Sequence, residues 1–510
     1  MRIEIMDTTL RDGEQTPGVA FSCNEKLSLA KMLLEEVKVD RIEIASARIS
    51  QGEMDSVKRI ADWCKEKDYL ERVEVLGFVD GTRSVDWIAK TGAKVLNLLC
   101  KGSLKHVASQ LKKTPEEHIS DIISVVSYAY KNGIDVNIYL EDWSNGMIDS
   151  PDYVFKIIDS IKGCGIKRFM LPDTLGILSP DQASEFCNIM TAKYPDMKFD
   201  FHAHNDYDLA AANTYMAIKA GFTGVHVTVN GLGERAGNVA LSSVIGIIND
   251  HNRKIKTVVD ETKLNKISKI VEAFSGIRIP SNKPIVGENV FTQTCGVHAD
   301  GDNKGNLYQN ALIPERFGRL RKYALGKTSG KASISKNLEE LGIVLDQESI
   351  QKVTARIVEL GDKKENITTE DLPYIISDVL GSRFINEKIR VKNYYICHAQ
   401  DLRPVATLSI EIGGTVYEET STGDGQYDAF MKALTKIYKR LCKALPALID
   451  YVVTIPPGGK TSALVETVIT WRNGKEFKTR GLDSDQTASA IKATVRMLNL
   501  IENEYIEPEL

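Results

Sequence analysis

The sequence predicts an α/β protein: a (β/α)8 barrel, then a helical connector, then a C-terminal α+β domain. Three observations carry this. Eight short β-branched runs alternate with amphipathic stretches between Arg2 and about Asp250. Helical periodicity takes over from Lys254 to about Arg390. A pattern of strand, turn, strand, acidic loop and helix then occurs twice. The expected domains are 1–275 (barrel), 276–388 (connector) and 389–510 (C-terminal domain).

The eight runs are "RIEIM", "RIEIAS", "VEVLGFV", "VLNLL", "DVNIYLED", "RFMLPDT", "KFDFHAH" and "GVHVTVNG". Between them, stretches such as "PEEHISDIISVVSYAYKNG" and "SPDQASEFCNIMTAKY" have 3.6-residue periodicity, with Pro in the first turn and several polar caps. Crossovers of this kind make neighbouring strands parallel, and eight even units in about 250 residues match a closed barrel better than an open doubly wound sheet. The connector carries "KISKIVEAF", "SISKNLEELG", "ESIQKVTARIVELG" and "TTEDLPYIISDVLG", interrupted by the Gly-rich "TCGVHADGDNKGN" and "ALGKTSGKAS". The repeated unit occurs as "VATLSIEIGGTVYEETSTGDGQYDAFMKALTKIYKRL" and "LVETVITWRNGKEFKTRGLDSDQTASAIKATVRMLNLI".

The 510 residues are 43% hydrophobic and 26% charged, with a formal net charge of −4 and no basic run. That balance argues against nucleic acid or an anionic membrane as the main partner and favours small molecules. Met1 leads directly into strand residues, and no apolar stretch approaches the ~18 residues of a membrane span. The expectation is a cytoplasmic protein. Its eight Cys are scattered without a C-x-x-C pair and read as reduced core thiols.

In a barrel the active site lies where strands end. Those ends offer Arg11 and Asp12; Glu43; Leu99; Tyr139 and Glu141; Thr174; His202 and His204; and Asn238. In "FHAH", His202 and His204 are two apart on a strand and leave the same face, so both imidazoles can meet one cation. Asp12 and Asn238 add oxygens from strands one and eight, and two nitrogens with two oxygens suit Mn²⁺, Zn²⁺, Mg²⁺ or Co²⁺. "NGLGERAGN" misses the dinucleotide fingerprint by one residue, and "LGKTSG" and "PPGGKTS" lack the first glycine of a P-loop.

"DTTLRDGEQTPG", "FHAHND" and "NGLGERAGN" resemble the signatures of the α-isopropylmalate synthase, homocitrate synthase and citramalate synthase family, barrel metalloenzymes that join acetyl-CoA to a 2-oxo acid. The resemblance runs on through "ENVFTQTCGVHADG" and "ALGKTSGKAS" to the C-terminal repeat, which is similar to the family's regulatory domain. It implies that Asp12, His202, His204 and Asn238 hold the metal and that Arg11 stabilises the alkoxide. "VLNLLCKGS" and "IYLEDWSNG" resemble the citramalate synthase branch, which implies pyruvate as the oxo acid in isoleucine biosynthesis; isopropylmalate synthase, and less so homocitrate synthase or a hydroxymethylglutaryl-CoA lyase-like enzyme, are the alternatives.

Two residues compete as general base. Glu141 ends strand five, inside the expected site. His298 in "GVHADG" offers an imidazole, the side chain most often used as a general base, with Asp300 and Tyr308 close in sequence to orient it, and the resemblance favours it. Leu76, Leu99 and Tyr139 are expected to fill the space a larger oxo acid would need, with Thr174 beside the substrate. In the repeat, a helix start suits an amino-acid carboxylate and a nearby Asp its ammonium. The effector, isoleucine, is expected among Gly425, Tyr427, Asp428, Tyr451, Ile455 and Pro456, in a homodimer.

Overall fold

The computed structural model describes residues 2–251, 254–362, 367–380, 387–454 and 465–503. Eight parallel strands close into a barrel in chain order: β1 (Glu4–Asp7), β2 (Arg41–Ser46), β3 (Val73–Phe78), β4 (Val95–Lys101), β5 (Asp135–Glu141), β6 (Phe169–Asp173), β7 (Phe199–Ala203) and β8 (Gly224–Val227). They fall in the eight predicted runs. Closure comes from β1, which pairs with β2 on one side (Met6 opposite Arg41) and β8 on the other (Glu4 opposite Gly224).

The period-two alternation of the strands separates two environments. Ile5, Ile42, Ile44, Val75, Leu96, Ile138, Phe201 and Val225 face outward into the main core beneath the helices. The alternate positions face the barrel axis. There Met6, Leu76, Tyr139 and Met170, with Leu99 against them, form a small apolar cluster of their own. Around it lie buried polar residues: Arg41 and Glu43, Glu74, Asn97, Asn137, Asp200, His202 and His226. Barrel interiors are ordinarily filled by branched apolar side chains. Here much of the filling is polar or charged, and a Cβ on Gly224 would collide with the Asp200 carboxylate.

The surrounding helices start where the sequence punctuates them. Ser22 with Glu25, Thr114 with Glu117, and Ser179 with Gln182 form capping boxes ahead of Cys23–Lys31, Pro115–Lys131 and Pro180–Lys193.

The chain divides into two compact units, Met1–Phe291 with Gln309–Arg321, and Thr292–Tyr308 with Lys322–Leu510. The stretch 276–388, read as a connector, is thus shared: Ile285, Val286 and Phe317 are buried in the barrel core. In the second unit, β9 (Thr292–Gln293) and β10 (Lys322–Tyr323) form a short parallel pair, and the helices Lys331–Glu340, Gln347–Asp362 and Leu372–Leu380 pack around Ile334, Val353, Ile357 and Ile376.

The C-terminal repeat is present, and each copy is one strand longer than its sequence pattern. The sheets are β11 (Ile389–Cys397), β12 (Val405–Ile412) and β13 (Thr415–Thr422), then β14 (Ala447–Thr454), β15 (Val465–Asn473) and β16 (Lys475–Asp483), each followed by a helix, Gln426–Arg440 and Gln486–Glu502. The leading strands lack a clean polar and apolar alternation because apolar residues also point outward: Tyr394, Tyr395, Leu448 and Val452 are exposed. Leu408, Phe430, Leu434, Ile469, Trp471 and Met497 make a core common to both copies.

One buried cation ties the turn after β1 to its neighbours. Lys26 Nζ is 2.6 Å from both Glu14 Oε2 and Glu53 Oε1 and donates to the carbonyls of Leu10 and Ile44. Glu14 therefore anchors the turn, and its Oε1 also accepts from the Phe21 N–H at 2.7 Å. Lys26→Met strands two largely buried carboxylates, so stability should fall by about 3–5 kcal/mol in denaturant titration of the full chain; a loss below about 1 kcal/mol would contradict this role.

Candidate metal centre

The turn after β1 is tight. Thr8 O accepts from the N–H groups of Arg11, Asp12 and Gly13 at 3.1, 2.9 and 3.1 Å, which brings the Arg11 and Asp12 side chains back over the barrel end. There Asp12 Oδ2 lies 3.3 Å from His202 Nε2 and 3.9 Å from His204 Nε2, and the two Nε2 atoms are 3.3 Å apart. All three residues are buried, and their ligand atoms lie within 4.8 Å of one another, a span that one cation with bonds of ~2.0–2.2 Å can bridge.

Asn238 arrives from the loop after β8, bridged to His204 across an antiparallel contact. Its Nδ2 donates to Leu232 O at 3.1 Å, and a Cβ on Gly233, whose φ is +151°, would collide with that Nδ2. Asp12 Oδ1 and Asn238 Oδ1 are buried without hydrogen-bond partners. Buried oxygens are rarely left so, and two oxygen atoms beside two imidazoles have the composition of a divalent-cation site.

Arg11 links this cluster to the barrel interior. Its Nη1 is 3.1 Å from Asp12 Oδ2, its Nε donates to Glu43 Oε2 at 2.6 Å, and its Nη2 is 3.5 Å from the Tyr139 hydroxyl. Glu43 also accepts from Thr8 Oγ1 at 2.7 Å and Asn97 Nδ2 at 2.8 Å, and Asn97 in turn accepts from Asn137. Burial works against charge on Asp12, but Arg11 and the two imidazoles hold its carboxyl well below the usual range. Burial likewise opposes charge on Glu43, yet Arg11, Asn97 and Thr8 keep it low. Burial and the neighbouring His202 push His204 down to about 4, so its imidazole stays neutral. Burial and Glu43 push the Tyr139 hydroxyl well above its ordinary value.

The other predicted residues fall as follows. Leu76, Leu99 and Tyr139 form the apolar cluster inside the barrel, with the Tyr139 ring edge-on to His202 at 6.0 Å. Thr174 Oγ1 accepts from the Asp142 N–H at 2.9 Å. The Glu141 carboxylate is ion-paired with Lys101 Nζ. His298, Asp300 and Tyr308 belong to the second unit. His298 is exposed with the Tyr308 ring against it at 4.1 Å, whereas Asp300 pairs with Lys304 at 2.6 Å rather than with the imidazole.

In the C-terminal domain, Gly425 caps the helix Gln426–Arg440, and Tyr427 from that helix stacks near Tyr451 of β14 at 5.4 Å and shares a 2.7 Å hydrogen bond with Thr494. Asp428, expected to face an ammonium, instead pairs with Lys432 at 2.7 Å and accepts from the Asp424 N–H. Ile455 and Pro456 lie outside the described residues.

Sequence reading missed His226, Asp200, Arg41 and Arg168, and gave Glu43 no role. His226 Nδ1 is 2.8 Å from the Tyr139 hydroxyl and its Nε2 is 3.2 Å from Asp200 Oδ2; Asp200 is held by Arg41 at 2.5 Å and Arg168 at 3.0 Å. Burial pushes His226 down to about 4 against the pull of Asp200. The available signal was the alternation itself: Arg41 and Glu43 in "RIEIAS", and Asp200, His202 and His204 in "FDFHAH", stand at alternate positions of strands whose two faces are both buried.

Fold and site together define a metal-dependent barrel enzyme. Residues 2–271 match the HMGL-like family, 285–365 the homocitrate synthase post-HMGL domain-like family, and 366–502 the LeuA allosteric (dimerisation) domain. The (R)-citramalate synthase CimA of Methanocaldococcus jannaschii is 32% identical over 99% of this chain and 100% of its own. A 2-isopropylmalate synthase of the same organism is 31% identical over 98% of this chain and 95% of its own. The chain belongs to the HMGL-like family, among enzymes of the citramalate and isopropylmalate synthase type. No helix among the described residues is long and apolar enough to cross a membrane.

The full chain should bind one divalent ion, and Asp12→Ala should weaken Mn²⁺ binding more than ~100-fold in a calorimetric titration, beyond what loss of an outer contact costs. Unchanged affinity would contradict the assignment.

Proposed function

We propose that the chain condenses acetyl-CoA with pyruvate to give (R)-citramalate and CoA in isoleucine biosynthesis. The observation that carries this reading is the arrangement of Asp12, His202 and His204 around one buried point, with the Arg11 guanidinium against it and Asn238 bridged to His204. A divalent ion held there supplies Lewis acidity toward the carboxylate and keto oxygen of an oxo acid.

The chain's own groups do the rest. A base removes a proton from the acetyl methyl group; the resulting carbon attacks the ketone carbon; one C–C bond forms and the keto oxygen becomes an alkoxide. Arg11, kept cationic by Glu43 and Asp12 against the effect of burial, donates to that oxygen. Water then cleaves the thioester and frees the CoA thiol. His298 is favoured as the base over Glu141, because Lys101 already occupies the Glu141 carboxylate whereas the His298 ring is exposed. Leu76, Leu99 and Tyr139, packed with Met6 and Met170, occupy the space beneath the site and favour the methyl group of pyruvate. The margin is modest, since one methylene in an apolar pocket is worth only ~1–3 kcal/mol.

Regulation is assigned to the C-terminal domain: isoleucine binds where Tyr427 and Tyr451 meet between the two repeats. The chain acts as a cytoplasmic homodimer, supported by the match to an allosteric (dimerisation) domain. The similarity to a 2-isopropylmalate synthase keeps 2-oxoisovalerate, with leucine as effector, as the second reading.

Thiol release from acetyl-CoA by the Mn²⁺-loaded chain tests the reading, with pyruvate, 2-oxoisovalerate and 2-oxoglutarate offered separately. Pyruvate should be preferred at least ~10-fold and isoleucine should slow that reaction. Preference for 2-oxoisovalerate would replace this reading with the second.

A further inference from the structure

Tyr139 is held from below by a chain of groups that the condensation itself does not require. Asp200 receives two guanidinium groups, Arg41 Nη2 at 2.5 Å and Arg168 Nη1 at 3.0 Å, and is fully buried. A carboxylate so paired only accepts hydrogen bonds. The imidazole nitrogen facing it, His226 Nε2 at 3.2 Å, must then carry the proton. With the Asp200 charge already matched by two guanidinium groups, the fully buried imidazole is neutral and has one N–H, so Nδ1 is bare, and the 2.8 Å contact to Tyr139 is the phenol donating to it. The phenol oxygen keeps its lone pairs for Arg11 Nη2.

We infer that His226 is a positioning residue for the oxo-acid pocket: with its tautomer set by Asp200, it takes the Tyr139 hydroxyl proton and so fixes the ring that walls the pocket. This rests on the oxo-acid reading above. Apart from the long contact to Arg11, whose guanidinium also lies 5.9 Å from the ring centroid, the ring's surroundings are apolar or aromatic. Met6, Leu76 and Met170 surround it, and it stands edge-on to His202 and His226 at 6.0 and 5.4 Å. Two consequences follow. Tyr139 cannot give its proton to a developing alkoxide, because that proton points into the barrel. Discrimination between a methyl and an ethyl group on the oxo acid depends on a histidine that never touches the substrate.

The direct test is spectroscopic and needs no turnover. Long-range proton–nitrogen spectra of the full chain with ¹⁵N-labelled histidine, His226 being identified by its loss in His226→Gln, should show protonated Nε2 and bare Nδ1, and the Nδ1 resonance should move in Tyr139→Phe. An Nδ1–H tautomer, or no response to Tyr139→Phe, would overturn the inference.

Kinetics supply the second arm. Glutamine at 226 keeps an N–H toward Asp200 but has nothing where Nδ1 stood, whereas asparagine places an oxygen there. His226→Gln and Tyr139→Phe should each cut the preference for pyruvate over 2-oxobutyrate, as a kcat/KM ratio, by ~10-fold, and the double variant should go no further. His226→Asn should stay within ~2-fold of the parent. Independent, multiplying effects would contradict the coupling. If the parent chain turns over no oxo acid, the function reading fails by itself, and the tautomer measurement still decides this inference.

Discussion

Arg11 is shared between two buried carboxylates, Glu43 at 2.6 Å and Asp12 at 3.1 Å, and much of the barrel is arranged around that sharing. Taking three charges out of water costs more than their attraction returns unless geometry and further hydrogen bonds are right. Thr8 and Asn97 supply those bonds to Glu43, and the tight turn on Thr8 O supplies the geometry for Arg11 and Asp12. The Asp12 charge is therefore present before any cation arrives, and the guanidinium is aimed beside it. Preorganised charge of this kind is what a reaction passing through an alkoxide uses most.

The barrel accepts the cost of a charged interior because its charges are paired layer by layer. Toward the start of the strands, Arg41 and Arg168 pair with Glu4, Glu74 and Asp200. Asp200 orients His226, His226 holds Tyr139, and Tyr139 reaches Arg11, so a run of polar contacts joins the bottom of the barrel to the site. Met6, Leu76, Leu99 and Met170 add apolar volume beside it, on the side where the oxo acid's alkyl group is proposed to lie. From outside, Lys26 plays the corresponding part for the turn that carries Arg11 and Asp12.

What could be read from the sequence was whatever is encoded locally. The eight strands appear because apolar residues recur at period two between capped helices, and Asp12, His202, His204 and Asn238 because they end strands or follow them. The network behind them was not legible, since Glu43, Asp200 and His226 acquire meaning only when distant strands align; Tyr139 and His226 are 87 residues apart. Lys26 looks like any lysine of an amphipathic helix until Glu14 and Glu53 are seen around it. The leading strands of the C-terminal repeat escaped the pattern for a different reason: exposed apolar residues such as Tyr395 erase the contrast that marks a strand.

Whether the shared arginine governs the site is most directly measured by titrating Mn²⁺ into the Glu43→Gln chain. With one of its two carboxylates neutral, Arg11 turns fully to Asp12 and competes with the ion, so affinity should fall by ~10-fold or more. Affinity equal to or tighter than that of the parent chain would mean that Asp12 does not depend on how Arg11 is divided, and the account would be wrong at its centre.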